Sequence, residues 1–238
     1  MAELRRHGVD TSRLRFSRTG RFGIYFVEAG SNQRPSVVQY DRDGSSIALA
    51  GPEFYDFPAA LAEVDWIHTT GITPALSRNA HEAALALVRE GASRGIPVSV
   101  DLNFRKKLWR WDPAREPKTL ARDCMSEILR HATLVIANEE DAADVLGIHA
   151  AGSSVEEGRL SAEAYTDVAR AIAARFPSVE RVAITLRESV SADHNNWGAL
   201  LYERAGDRAH FAPLDADGRY RPYEIRDIVD RVGGGDSF

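Results

Sequence analysis

Residues 64–103 read VDWIHTTGITPALSRNAHEAALALVREGASRGIPVSVDLN and contain two apolar runs on either side of an amphipathic stretch. The runs VDWIHTT (64–70) and PVSVDLN (97–103) have the length and composition of buried strands. Between them, apolar residues recur at helical spacing over 76–94, and Gly95 ends the pattern. This order predicts a strand, a helix and a second strand, the repeating unit of a parallel sheet covered by helices.

The alternation continues along the chain. Further helices are predicted over about 113–130, from Glu139 to Gly147 and over 161–175, with strands over 133–138 and 181–186. Such units predict an α/β fold with a parallel sheet. Ligands of these sheets bind beyond the carboxyl ends of the strands, so the residues at those ends are the candidates for a functional site.

A different pattern precedes these units. Between Arg21 and Arg42, the runs FGIYFVE and SVVQYDR flank the polar segment GSNQRP at 30–35. Two runs rich in β-branched and aromatic residues around a Gly-containing loop predict a β-hairpin.

Composition limits the classes of partner. The chain has 238 residues and a formal net charge of -5, which argues against nucleic acid as the main partner. The single cysteine, Cys124, excludes an internal disulfide and a cysteine-based zinc site, and it fits a reducing compartment. No apolar run approaches the ~20 residues that span a bilayer. We therefore expect a cytoplasmic protein with neither a nucleic-acid nor a membrane partner.

The most specific signal is Gly233-Gly234-Gly235-Asp236. Three glycines let the backbone turn tightly and present N–H groups without side chains in the way, as an anion-binding loop requires. A plain flexible turn is the alternative, and the glycines alone do not separate the two. Asp236 favours the functional interpretation, because a carboxylate beside an anion site can accept a hydroxyl proton during phosphoryl transfer.

Two further strand ends carry charged or amide side chains. One of them is the start of a predicted helix, Asn138-Glu139-Glu140-Asp141, where acidic residues commonly cap the helix. The functional alternative is a site that binds Mg²⁺ through water molecules. The basic run that starts at Arg105 follows the strand ending at Asn103. It is typical of a solvated loop, and a nucleic-acid patch is a weaker alternative. Its position favours Arg105 as a ligand for a carboxylate or phosphate.

Several of these segments resemble a known family. The segment from Asp230 to Asp236 resembles the D-T-x-G-A-G-D signature of the ribokinase-like (PfkB) carbohydrate kinases, and Asn138 to Asp141 resembles their N-x-x-E motif. The longer segments FGIYFVEAGSNQRPSVVQYDR, DWIHTTGITPALS, VSVDLNFRKKLW, LVIANEEDAADVLGI and VAITLRESVSADHNNW are similar to bacterial kinases of 2-keto-3-deoxygluconate. The similarity extends through essentially the whole chain.

The resemblance implies a fold and a set of roles. The fold is a ribokinase-like, three-layer α/β domain over residues 51–238 with a small β-sheet lid over 15–50, truncated at both ends relative to the family. Asp236 would be the catalytic base, and Gly233, Gly234 and Gly235 would form the anion hole. The sugar would be bound by Tyr25 and Arg105. ATP would be bound by Asn103, Asn138, Thr185 and Arg187. Mg²⁺ would be held by Asn138, Glu139 and Asp141.

The implied reaction is ATP-dependent phosphorylation of 2-keto-3-deoxygluconate to its 6-phosphate, with Mg²⁺ as cofactor and a K⁺ requirement left open. A homo-oligomer formed through the lid is also implied. Because the chain is short against the family, we expect it to be inactive or barely active by itself. The alternatives are a kinase for fructose, 2-keto-3-deoxygalactonate or 5-keto-2-deoxygluconate, or a sugar-binding protein without catalysis on the same scaffold.

Two positions depart from the family pattern. Asp141 stands where the motif has Glu, and this shorter side chain weakens the Mg²⁺ assignment or shifts it toward Glu139. Arg231 stands where the family usually has Thr, and we expect it to add positive charge beside the phosphates. In that case Arg231→Thr would weaken ATP binding.

Overall fold

The computed structural model describes residues 1–149, 162–230 and 232–238. These residues form a two-stranded antiparallel sheet and a seven-stranded sheet combined with helices. The predicted α/β fold with a small additional β-sheet is therefore confirmed.

The elements are named here in chain order. The strands are β1 (Ile24–Glu28), β2 (Val37–Asp41), β3 (Ile67–Thr70), β4 (Val98–Asp101), β5 (Leu134–Asn138), β6 (Arg181–Ser189), β7 (Asn195–Glu203), β8 (Arg208–Ala212) and β9 (Tyr223–Ile225). The helices are α1 (Ala2–Arg6), α2 (Ser46–Leu49), α3 (Phe57–Ala60), α4 (Ile72–Leu76), α5 (Arg78–Ser93), α6 (Pro117–Leu129), α7 (Glu139–Asp141) and α8 (Ala162–Arg175). None of the helices in the described ranges is both long enough and apolar enough to cross a membrane.

Strands β3, β4, β5 and β6 are parallel and lie side by side in chain order. Right-handed crossovers between strands in this order place the intervening helices on the same face of the sheet. Helix α5 lies on that face, since a Cβ atom added at Gly91 would come within 2.3 Å of Ile67 Cδ1. Paired residues such as Val100 and Val135 are fully buried there, in one core with the helices. The opposite face of these strands carries the polar residues predicted to form the site.

The sheet continues beyond β6 with three strands that the sequence analysis did not assign. Strand β7 pairs antiparallel with β6 along its full length, and both β8 and β9 pair with β7. The central sheet is therefore mixed rather than wholly parallel. The sequence contains one local indication of the β7–β8 hairpin, the pair Gly206-Asp207. In the structure both residues have positive φ (90° and 49°), as tight hairpins require.

Two helix starts differ from the predicted ones for local reasons. Ser77 adopts an extended conformation, and its side chain accepts a hydrogen bond from the Ala80 N–H, so α5 begins at Arg78 and Leu76 belongs to the short helix α4. Helix α6 begins at Pro117, because proline suits the first turn, where its missing N–H costs nothing. The segment from Glu139 continues as a π-helical turn over Ala142–Leu146 and ends at Gly147, as predicted.

Strands β1 and β2 form the predicted hairpin, with Tyr25 opposite Tyr40. The hairpin is attached to the loop after β4 at two points: Lys107 Nζ donates to the Val38 carbonyl near the tip at 3.2 Å, and Arg110 pairs with Asp43 beyond the base at 3.6 Å. We refer to residues 15–50 as the lid segment.

A buried histidine lies between α5 and α6. His81 is 8% exposed, its Nε2 is 3.7 Å from the Glu127 carboxylate, and its ring centroid is 6.4 Å from that of Trp111. Its Nδ1 has no partner within the described ranges. Burial lowers the pKa of His81, although the nearby carboxylates of Glu127 and Glu82 act in the opposite direction.

This burial predicts a loss of stability in acid. Below the ordinary histidine pKa of about 6.5, the unfolded chain binds a proton more readily than the folded chain. The contribution of His81 to the free energy of unfolding should therefore fall as the pH drops from about 6.5 toward the lower folded pKa, whereas Asp141, whose pKa burial raises, contributes with the opposite sign. Urea unfolding between about pH 5 and 8 measures this slope. His81→Gln should flatten it, and an unchanged slope in that variant would contradict the assignment.

Candidate active site

The carboxyl ends of three neighbouring strands place polar side chains on one face of the sheet. Asp101 at the end of β4 pairs in register with Ile136 of β5, and Asn138 at the end of β5 pairs with Thr185 of β6. Side chains paired across neighbouring strands share a face. Arg187 lies two residues beyond Thr185 and therefore points to the same side.

A cavity of about 720 Å³ lies above this face. The lid segment and the strand ends line part of it, and the C-terminal segment contributes Ile228, Val229, Asp230, Val232, Gly233, Gly235 and Asp236. The predicted site residues that line it are Tyr25, Asn103, Arg105, Asn138, Asp141, Thr185, Arg187, Gly233, Gly235 and Asp236. Gly234 lies between two lining glycines. The Glu139 side chain and the whole of Arg231 lie outside the described residues, so their predicted roles stay predictions.

The glycine loop has the backbone form that an anion site needs. Asp230 accepts a hydrogen bond from the Val232 N–H at 2.9 Å, and the Ser237 N–H closes a turn onto the Gly233 carbonyl at 3.0 Å. Gly233 has φ +79°, a conformation that side chains disfavour. Within the described ranges, the N–H groups of Gly234, Gly235 and Asp236 donate to no protein acceptor. They are available to an anion.

Two carboxyl groups and one guanidinium lie together at the floor. Asp141 is 6% exposed and accepts a hydrogen bond from the Phe104 N–H at 3.1 Å. Burial raises the pKa of Asp141 to about 7; the negative charge of Asp101 acts in the same direction, whereas Arg105 opposes it. Burial also raises the pKa of Asp101, and the charge of Asp236 contributes in that direction. Arg105 and Asp236 line the same cavity as these two acids.

The loop after β4 is held in a tight conformation. Asn103 has φ 37°, in the left-handed region, and its N–H donates to Asp101 Oδ1 at 3.1 Å. A Cβ atom at Gly71 would lie 2.1 Å from the Leu102 carbonyl oxygen, so the ends of β3 and β4 approach as closely as only glycine allows. This contact fixes the backbone on which Asn103 and Arg105 stand.

The candidate metal residues already have structural partners. Asn138 Oδ1 accepts a hydrogen bond from the Asp141 N–H at 2.7 Å, which is a helix-capping role. In the part of the chain that the structure describes, no three His, Cys, Asp or Glu side chains converge to hold a metal ion. Asn138, Glu140 and Asp141 nevertheless line the cavity. This donor set fits Mg²⁺ held through water and phosphate, and it does not form a dedicated cage.

The lid contributes two residues that sequence reasoning missed. Tyr40 and Arg42 line the cavity together with Tyr25. The Arg42 guanidinium lies 5.7 Å from the Tyr25 ring centroid and 5.6 Å from that of Tyr40, within cation–π range. The hairpin register could have identified them, because Tyr25, Tyr40 and Arg42 share one face of the two strands.

Arg187 is held by a residue of the unassigned strand β7. Its Nε donates to Asn195 Oδ1 at 3.2 Å, and Asn195 is only 2% exposed. Because a buried amide has little freedom, this bond helps to orient the guanidinium toward the cavity. The pairing of Arg187 with Asn195 was not predicted, because Asn195 lies in a segment for which no helix or strand was predicted.

The chain resembles known proteins over nearly its whole length. A family model described as pfkB family carbohydrate kinase matches residues 1–238. The solved 2-dehydro-3-deoxygluconokinase of Thermotoga maritima superposes with a TM-score of 0.84 at 37% identity, over 99% of this chain and 64% of that protein.

Two curated relatives agree with this match. The 2-dehydro-3-deoxygalactonokinase of Haloferax volcanii is 29% identical over 237 residues, which is 99% of this chain and 61% of the relative. The 2-dehydro-3-deoxygluconokinase of Thermoproteus tenax is 30% identical over 145 residues, 60% of this chain and 41% of that enzyme. The chain therefore spans less than two thirds of the length of each of these relatives. The family match covers the whole chain, and the chain belongs to the PfkB family of carbohydrate kinases.

Proposed function

We propose that the protein transfers the terminal phosphoryl group of ATP to the primary hydroxyl of 2-keto-3-deoxygluconate. The observation that carries this proposal is one cavity that joins Asp236, a glycine loop with free N–H groups, and the cations Arg105 and Arg42. A purely sugar-binding protein does not require a carboxylate beside an anion loop. The alternative without catalysis is therefore the weaker one.

In the proposed reaction, the Asp236 carboxylate accepts the hydroxyl proton as the sugar oxygen bonds to phosphorus and the bond to ADP breaks. The N–H groups of Gly234 and Gly235 stabilise the charge of the transferring group. Mg²⁺, when bound, neutralises charge on the phosphates. Asn103, Asn138, Thr185 and Arg187 line the part of the cavity that we assign to ATP. A K⁺ requirement has no supporting observation among the described residues.

The positive charge of two arginines that line the cavity favours an acidic sugar. Arg105 and Arg42 both line the cavity, and guanidinium groups bind carboxylates in a bidentate way. Names of relatives include kinases of both 2-dehydro-3-deoxygluconate and 2-dehydro-3-deoxygalactonate. Charge does not separate these epimers, so the galactonate is the second candidate. Fructose is less favoured because it is neutral. No specific observation supports 5-keto-2-deoxygluconate.

The test is phosphoryl transfer from radiolabelled ATP to a panel of these sugars. Because this chain covers only 61% and 64% of the length of two such relatives, we propose that the 238-residue chain is barely active by itself. Rapid turnover by this chain would contradict that part of the proposal. We also propose that the protein is cytoplasmic.

We also propose a homo-oligomer formed through the lid. The face of β1 and β2 turned away from the cavity exposes apolar side chains; Phe22 is 89% exposed and Phe26 61%. Such an apolar patch is typical of a protein interface. Sedimentation equilibrium should show an assembly that Phe26→Lys weakens. A monomer at all concentrations would contradict the proposal.

A further inference from the structure

The turn between β6 and β7, residues 190–194, reaches across the cavity to the tip of the lid. We define the lid tip as residues 29–36, between β1 and β2. The Ala192 N–H donates to the Asn32 carbonyl at 2.9 Å. Asn32 has φ 52° in a turn that Ser31 and Arg34 close with reciprocal backbone hydrogen bonds of 3.1 and 3.0 Å. A defined turn of the lid therefore contacts a defined turn of the central sheet.

Asp193 stabilises the turn that makes this contact. Ser191 Oγ donates to Asp193 Oδ1 at 2.5 Å, which fixes the orientation of the carboxylate. This hydrogen bond is the main cause that lowers the pKa of Asp193, and the backbone N–H of Asn32 contributes as a further donor. The Asn32 carbonyl is thus bound by the Ala192 N–H, and Ala192 stands between Ser191 and Asp193, whose side chains are hydrogen-bonded to each other.

The same turn is tied to the opposite wall of the cavity. The Ile228 N–H donates to the Asp193 carbonyl at 3.0 Å, and residues 228–230 lead into the glycine loop and line the cavity. His194 Nε2 lies 3.1 Å from the Glu224 carboxylate of β9. The turn consequently connects the lid tip with the segment that positions Asp236.

Behind the lid tip, the hairpin has two described contacts with the loop after β4, one close to the tip and one beyond the base. Those contacts are the bond from Lys107 to Val38 and the ion pair of Arg110 with Asp43. The lid tip itself has its described hydrogen bond outside the hairpin with the β6–β7 turn. We propose that residues 190–194 act as a latch that holds the lid closed over the cavity, with Asp193 as its positioning residue. Its effect on sugar affinity rests on the function proposed above.

The first test measures the lid directly, without substrate. Amide hydrogen exchange of the lid tip should become about tenfold faster in Asp193→Ala than in the parent chain, as expected from losing one hydrogen bond to a charged group. Asp193→Asn keeps an acceptor oxygen and should retain most of the protection. Asp217→Ala is the matched control, because it removes an exposed Asp from the neighbouring β8–β9 turn, away from the lid. Its lid tip should exchange like that of the parent.

The second test links the latch to the site. Asp193→Ala should raise the KM for the sugar acid several-fold and leave the KM for ATP within twofold of the parent value. Unchanged lid exchange in Asp193→Ala would overturn the latch, and so would faster exchange without any change in the sugar KM. If the parent chain phosphorylates none of the sugars, the proposed function fails, while the exchange comparison still decides whether the latch exists.

Discussion

Asp236→Asn is expected to lower phosphoryl transfer to 2-keto-3-deoxygluconate by about 10²–10⁴-fold, the usual contribution of a general base. The amide has nearly the same shape as the carboxylate but cannot accept the hydroxyl proton. Sugar and ATP binding should stay within a few-fold of the parent values, because Asn still fits the lined cavity. Radiolabelled ATP detects slow transfer, and calorimetry measures the two binding constants.

The matched control is Asp227→Asn. Asp227 lies in the same C-terminal segment but does not line the cavity, and its φ of 55° suits asparagine. The same loss of charge there should leave transfer unchanged. If Asp236→Asn retained more than about a tenth of the parent rate, Asp236 could not be the general base.

Arg105→Leu is expected to weaken binding of the sugar acid by about 10- to 150-fold, because a hydrogen bond to a charged group contributes about 1.5–3 kcal/mol. Arg105 lines the cavity beside the buried carboxyl groups of Asp101 and Asp141, and its charge lowers the pKa of both. Its loss should raise both pKa values further. The substrate carboxylate would then lose its positively charged partner.

Neutral sugars distinguish a carboxylate-binding role of Arg105 from a purely structural role. Their affinity should change little in Arg105→Leu, because they carry no carboxylate. Lys106→Leu removes a neighbouring exposed cation that does not line the cavity, and it should behave like the parent chain. An equal loss of affinity for sugar acids and neutral sugars would contradict a carboxylate-binding role.

The order of strands and helices followed from local sequence patterns. Apolar runs and helix caps near residues 64–147 predicted β3, β4 and β5 and the helices between them, because these elements bury continuous faces in one core. Since parallel strands end at the same edge, the strand ends also indicated that Asn103, Asn138 and Thr185 would meet. The structure places all three in one cavity.

What could not be predicted depends on pairing over long distances in the chain. Strand β7 mixes polar and apolar residues, and only its pairing with β6 makes it part of the sheet. The bond between Arg187 and the buried Asn195 follows from that pairing, and so does the contact of Ala192 with the lid tip. Arg42 was missed for a different reason: the hairpin register places it on the same face as Tyr25, and that register was not used.

The central claim is that this cavity phosphorylates an acidic keto sugar. Its most direct test is transfer of the labelled terminal phosphoryl group of ATP to 2-keto-3-deoxygluconate, measured beside fructose and with Asp236→Asn as the background. We expect slow but measurable label on the terminal hydroxyl of the sugar acid, at least tenfold above fructose and absent in the variant. Label that favours fructose, or transfer that persists in Asp236→Asn, would contradict the claim.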